Sequence, residues 1–124
     1  MLGKKKIIAF IGTKNPDAAK AFYSDILGLT LIEDGPFALE YDAGGTMLRV
    51  QKLSALAPHA HTSLGWDVPD IRSAVRDLAR GGVKFERYPR MSQDDLGIWK
   101  SPSGAQVAWF KDPDGNILSL TQIP

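Results

Sequence analysis

The stretch Pro16-Asp17-Ala18-Ala19-Lys20-Ala21-Phe22 decides the fold, because Pro69-Asp70-Ile71-Arg72-Ser73-Ala74-Val75 repeats its pattern 53 positions later. Gly12 and Gly65, Ala21 and Ala74, and Gly28 and Gly81 fall at the same offset. In each copy a short apolar run meets a Pro-Asp turn, a helical pattern follows, a glycine stops it, and apolar runs resume. A pattern used twice in one chain predicts two copies of one supersecondary unit.

The first helical pattern places Ala18, Ala21, Phe22 and Ile26 on one stripe. Asn15 suits the cap, Pro16 the first turn and Gly28 the stop. The second pattern, Ile71, Ala74, Val75, Leu78 and Ala79, is ended by Gly81-Gly82. The remaining apolar runs read as strands. In the first half they are residues 6–12, Thr30–Asp34, 38–41 and Thr46–Lys52. Gly35-Pro36 and Asp42-Ala43-Gly44-Gly45 separate the last three as turns. In the second half they are 62–68, 83–87, 97–100, 105–110 and Ile117–Gln122. This predicts an α+β fold: two tandem βαβββ modules forming a cupped mixed sheet with helices on the outer face. Module one is 1–56 and module two 57–124, together one domain. The face away from the helices is then a concavity, where small ligands bind.

Composition fits that reading. The chain has 124 residues, 44% hydrophobic and 23% charged, enough for one core. Fifteen Lys+Arg against fourteen Asp+Glu give a net charge of +1, unlike a dedicated nucleic-acid or membrane-surface binder. Cysteine is absent, which removes disulfides, a thiolate nucleophile and zinc-thiolate sites. No apolar run approaches the roughly 18 residues of a membrane span. Lys4-Lys5-Lys6 precede too short an apolar run for a signal peptide, so a cytoplasmic protein is expected.

Three local signatures carry a family resemblance. They are Ala21-Phe22-Tyr23 through Leu27-Gly28-Leu29, Asp67-Val68-Pro69-Asp70-Ile71 ahead of the second helix, and Trp109-Phe110-Lys111-Asp112-Pro113-Asp114-Gly115-Asn116 near the end. Each is weak alone, but in this order and spacing the chain resembles the vicinal oxygen chelate superfamily over nearly its whole length. That superfamily includes glyoxalases, bleomycin-resistance proteins, fosfomycin-resistance enzymes and extradiol dioxygenases. The resemblance implies the cupped fold and, from the resistance proteins, a homodimer. For the enzymes it also implies a divalent metal held by one ligand from each of four strands, usually His or Gln, Glu, His and Glu. Such a metal needs imidazole or carboxylate donors and open positions for substrate oxygens.

Carried over by spacing, those four positions are Ile8, Arg49, Ser63 and Ser119. None has the usual donor. The expectation is therefore no metal cofactor and no enzyme chemistry of the family type. The alternative is a rebuilt metal site using His59 and His61 with Glu40 or Asp42; the simpler reading of the two histidines is a solvated linker.

Strand alternation then sorts the side chains. Leu48, Val50, Leu64, Trp66, Val68, Leu118 and Leu120 suit the helix side. Met47, Arg49, Gln51, His61, Ser63, Gly65, Ile117, Ser119 and Thr121 suit the open face, together with Ile8, Phe10 and Gly12. From these the expected ligand-binding residues are Ile8, Phe10, Met47, Arg49, Gln51, Ser63 and Ser119, with Trp99 and Trp109 as flat apolar surface. Arg49 calls for an anionic or planar acceptor, which is either a ligand or Glu40. Trp99 and Trp109 are otherwise core or dimer-interface residues. The loop 88–96, with Met91 and Asp94-Asp95, is either a cover or an ordinary surface loop.

No catalytic constellation appears. The two histidines have no supporting nucleophile, and the adjacent Asp94 and Asp95 point apart on extended backbone. The expected function is metal-independent binding of a small acidic or aromatic molecule, as in sequestering resistance proteins. The alternatives are a metal-dependent lyase or dioxygenase with rearranged ligands, and a non-catalytic interaction protein that keeps the fold.

Overall fold

A computed structural model describes all 124 residues. The chain divides into two compact units, Met1–Ala57 and Pro58–Pro124. No helix is long and apolar enough to cross a membrane.

In the first unit, strand β1 (Ile8–Thr13) leads to helix α1 (Pro16–Lys20), which widens into a π-helical segment, Ala21–Ile26. Strands β2 (Thr30–Asp34), β3 (Ala38–Ala43) and β4 (Thr46–Lys52) follow. The sheet order is β1-β4-β3-β2, with β1 parallel to β4 and the other pairs antiparallel. The parallel pair needs a long crossover, and the helix and hairpins supply it.

Asn15 caps α1 through a bond from Ala18 N–H to its side chain at 3.4 Å, and its own N–H donates to Thr13 Oγ1 at 3.0 Å. The buried stripe of this helix is Ala19, Phe22 and Tyr23. Of the expected Ala18, Ala21, Phe22 and Ile26 only Phe22 is buried: Ala21 is exposed and Ile26 is 38% exposed. The cause is the π segment. Leu27 N–H bonds back to Phe22 O, five residues earlier, and the wider turn rotates the later side chains away from the face that 3.6-residue spacing predicts. Ile11, Leu39, Tyr41, Leu48 and Val50 on the sheet are each 5% exposed or less, and Tyr23 meets Tyr41 with ring centroids 6.1 Å apart. Burying side chains of this size contributes about 1.5–3 kcal/mol each. Tyr41 shows how its polar end is met: its hydroxyl lies 2.8 Å from Ser24 Oγ. Burial raises the Tyr41 phenol above its ordinary pKa.

In the second unit, β5 (Thr62–Asp67) leads to α2 (Ile71–Arg80), then β6 (Trp99–Lys100), β7 (Gln106–Lys111) and β8 (Ile117–Gln122). The order is β5-β8-β7-β6, again with only the first pair parallel. Asp70 caps α2 by accepting from Ser73 N–H at 3.2 Å, and Gln122 Oε1 accepts from Ile71 N–H at 2.9 Å. Ile71 and Val75 are buried, as are Ala108, Phe110, Leu118 and Leu120 on β7 and β8.

One local expectation changes. Residues 83–87 do not form a strand; Phe85 makes a single bridge to Phe110. The ladder stops there because Gln93 Nε2 takes the Glu86 carbonyl at 3.0 Å. The loop 88–96 is tied down along its length. Gln93 accepts from Tyr88 N–H at 2.8 Å and donates to Gly97 O at 2.8 Å. Asp94 accepts from Leu96 N–H, Ile98 N–H and Arg72, each at 2.9 Å. Arg87 holds the Asp94 and Asp95 carbonyls at 2.6 and 2.9 Å. The paired aspartates therefore serve the loop's own hydrogen bonding.

The Asp112–Asn116 turn is built in the same way. The Asp112 carboxylate accepts from Asp114 N–H and Asn116 N–H at 2.9 Å and from Asn116 Nδ2 at 2.8 Å. Gly115 has φ +88°, a conformation other residues rarely adopt.

Candidate functional site

Along each strand alternate residues point to opposite faces of the sheet, and on the first sheet the face opposite Leu48 and Val50 is open. On the first sheet, β4 puts Met47, Arg49 and Gln51 on the open face, with Ile8, Phe10 and Gly12 opposite them on β1. Ile8 is 48% exposed, Phe10 52% and Met47 39%, which is unusual for side chains of this kind within a sheet. Arg49 stands across β3 from Glu40, and the two form an ion pair through Nη1 and Oε1. Of the two acceptors expected for Arg49, the structure supplies the internal one. The guanidinium keeps further N–H groups beyond that contact. Gln51 is exposed, and Gly12 is crowded by Leu53 and Leu56: a Cβ at position 12 would meet Leu53 Cδ1 at 2.8 Å.

A cavity of about 410 Å³ opens at one end of this face, lined by Ile7, Ile8, Ile32 and Met47 with Lys6 and Asp42. Ile32 reaches it because the β2–β3 register shifts between Leu31 and Glu33, leaving Ile32 as an extra residue. Asp42 accepts from Gly45 N–H at 2.8 Å in the following turn.

On the second sheet Ser119 lies at the centre of β8, opposite Gly65 on β5 and Trp109 on β7. It is 7% exposed. The approach of β5 is close: a Cβ at Gly65 would sit 2.6 Å from Ser119 Oγ. Ser63 is displaced by a register shift between Thr62 and Leu64, so Thr62 is the residue opposite Ile117. Trp99 and Trp109 are neighbours, with ring centroids 6.1 Å apart, and Tyr88 meets Trp109 edge-on at 5.6 Å. The three rings are partly exposed and form one aromatic cluster. Burial, and secondarily the Glu86 charge, raise the Tyr88 phenol above its ordinary pKa.

The donor chemistry does not fit a divalent metal of the family type. Ile8 offers hydrocarbon, Arg49 a cation, and Ser63 and Ser119 neutral hydroxyls. No group of three or more His, Asp or Glu side chains is arranged to hold an ion. His59 and His61 stack on one another, centroids 4.8 Å apart, and are exposed. Glu40 is engaged by Arg49 and Asp42 by its turn.

The sequence reading missed Lys6, Ile32 and Tyr88. Tyr88 lies on a loop, where alternation assigns no face. Ile32 depends on a register shift that the residues around it do not announce.

The class defined by these features is a tandem βαβββ protein of α+β type, with an open sheet face in the first module. A family model described as the Glyoxalase/Bleomycin resistance protein/Dioxygenase superfamily matches residues 7–120, and the chain belongs to that family. A search of curated proteins returned no match. Solved structures share the fold at low identity. The glyoxalase family protein from Enterococcus faecalis is 21% identical, with TM-score 0.77 over 98% of this chain and 100% of that one. A bleomycin-binding protein complexed with bleomycin is 22% identical, with TM-score 0.74 over 98% and 100%. A lactoylglutathione lyase from Agrobacterium tumefaciens is 17% identical, with TM-score 0.75 over 97% and 95%.

Proposed function

We propose that the protein is a metal-independent binder of a small molecule, acting by sequestration like a bleomycin-binding protein. The observation that carries this reading is the chemistry at the four strand positions where the family's enzymes hold their metal. Here they are Ile8, Arg49, Ser63 and Ser119, and Arg49 is already ion-paired with Glu40. A sequestering protein needs shape and a few polar anchors, which the open face of the first sheet offers, and needs no Lewis acid. Arg49, oriented by Glu40, presents its remaining N–H groups to an acidic or carbonyl acceptor. Within the first unit Gln51 adds a neutral polar anchor and Ile8, Phe10 and Met47 add apolar wall; within the second, Ser63 and Ser119 carry hydroxyls of their own. Trp99 and Trp109, with Tyr88, offer aromatic surface.

A homodimer in the cytoplasm belongs to the same proposal. Phe37, 78% exposed and outside the ligand walls, is apolar area of the kind that association covers. Sedimentation gives the mass, and cell fractionation the location.

The test is a thermal-shift screen in chelator with acidic aromatics, glutathione adducts and glycopeptides of the bleomycin class. The reading expects at least one class to raise Tm without added metal, and Arg49→Ala to weaken that effect. Stabilisation that appears only with added metal would contradict it.

A further inference from the structure

The cavity of the first unit has a chemistry of its own. Its walls are Ile7, Ile8, Ile32 and Met47, and its volume of about 410 Å³ lies in the range of small-molecule sites. Ile7 is 76% exposed and Ile32 60%, so these apolar groups stand in water when nothing fills the space. The register shift in β2 aims Ile32 into it. Such a shift re-aims one side chain at the cost of ladder regularity, which suits a site better than a core.

The two charged groups at its edge, Lys6 and Asp42, are not paired with each other. Lys6 lines the cavity, and Lys4 and Lys5 precede it in the chain. None of the three makes an ion pair, and all are exposed. The one acidic residue in the lining, Asp42, has a carboxylate oxygen committed to Gly45 N–H. The mouth thus presents the unpaired ammonium group of Lys6 beside an apolar interior, with Asp42 bonded to its own turn.

We infer that this cavity takes a small apolar carboxylate, with the hydrocarbon against Ile8, Ile32 and Met47 and the carboxylate at Lys6. The inference rests on the small-molecule reading above and names a ligand class and a place for it within the first unit alone. Arg49 is not in the lining.

The experiment is calorimetric titration of the full chain, in chelator, with medium-chain and aryl carboxylates and with their methyl esters. The inference expects the acids to bind better than the esters in the natural protein. Lys6→Met, a change of charge at similar length, should weaken the acids by roughly two- to fivefold, the scale of an exposed ion pair, and leave the esters unchanged. Met47→Asp should abolish binding of the acids by placing an anion among the apolar walls; unchanged urea midpoints show that both variants fold. Acids binding no better than esters, or acid binding indifferent to Lys6→Met and Met47→Asp, would overturn the inference. If the carboxylates fail while glycopeptides or glutathione adducts bind in an Arg49-dependent way, this inference falls and the broader reading stands. If no class binds, both fall.

Discussion

Replacing Glu40 with Gln tests how the open face of the first sheet is organised. Glu40 and Arg49 are directly opposite on β3 and β4, and their side chains are 19% and 31% exposed. A charge-assisted hydrogen bond contributes about 1.5–3 kcal/mol net, and partial exposure discounts it, so about 1–2 kcal/mol is expected here. For a domain of this size that lowers Tm by roughly 3–10 °C. The assay is urea unfolding of Glu40→Gln, Arg49→Met and the double variant, followed by circular dichroism. Because Glu40→Gln leaves a guanidinium without its carboxylate, the double variant should lose less than the two single losses added together. A coupling of about 1 kcal/mol is expected. Freed from Glu40, Arg49 should also bind an acidic ligand more tightly in Glu40→Gln. Additivity of the two substitutions within about 0.3 kcal/mol would refute the pairing as an energetic unit. Unchanged affinity for acidic ligands would refute Arg49 as their anchor.

Three further outcomes follow from the packing. Gly65→Ala places a methyl against Ser119 Oγ and should cost about 1–3 kcal/mol in urea unfolding, with Ser119→Ala restoring most of it. Gln93→Ala strips an acceptor from Tyr88 N–H and a donor from the Glu86 and Gly97 carbonyls, so amide exchange across residues 86–98 should accelerate well ahead of the rest of the chain. Hydrogen bonds from Lys52, then Lys20, hold the Asp34 carboxyl below its ordinary pKa. Its stabilising contribution is therefore present above the unfolded-state pKa of about 3.9 and is lost as pH falls through the lower folded value. Asp34→Asn should flatten that part of the acid-side decline in a pH series of melting temperatures.

Much of the fold was legible because its signals are local. The Pro-Asp turns, the capping Asn15 and Asp70, and the tight Asp112–Asn116 turn act within a few residues, and alternation put Leu48 and Val50 under the helix and Met47 and Arg49 on the open face. What failed depends on distant partners or on small departures from ideal geometry. The π turn after Lys20 leaves Ile26 38% exposed, where 3.6-residue spacing expected it buried, since regular spacing assumes a regular helix. Residues 83–87 have strand composition, yet the side chain of Gln93 takes the carbonyl a ladder would use. On the first sheet, alternation put Arg49 on the face away from Leu48 and Val50, while its commitment to Glu40 depends on the β3–β4 register. Ile32 and Ser63 both sit at register shifts, which alternation has no means of locating.

Elemental analysis of the purified protein tests the central claim most directly, because that claim rests on what Ile8, Arg49, Ser63 and Ser119 lack as ligands. The account predicts far less than one equivalent of Fe, Ni, Zn or Mn per chain, and ligand binding unchanged by prior chelation. One tightly held equivalent, whose removal abolishes binding, would contradict it.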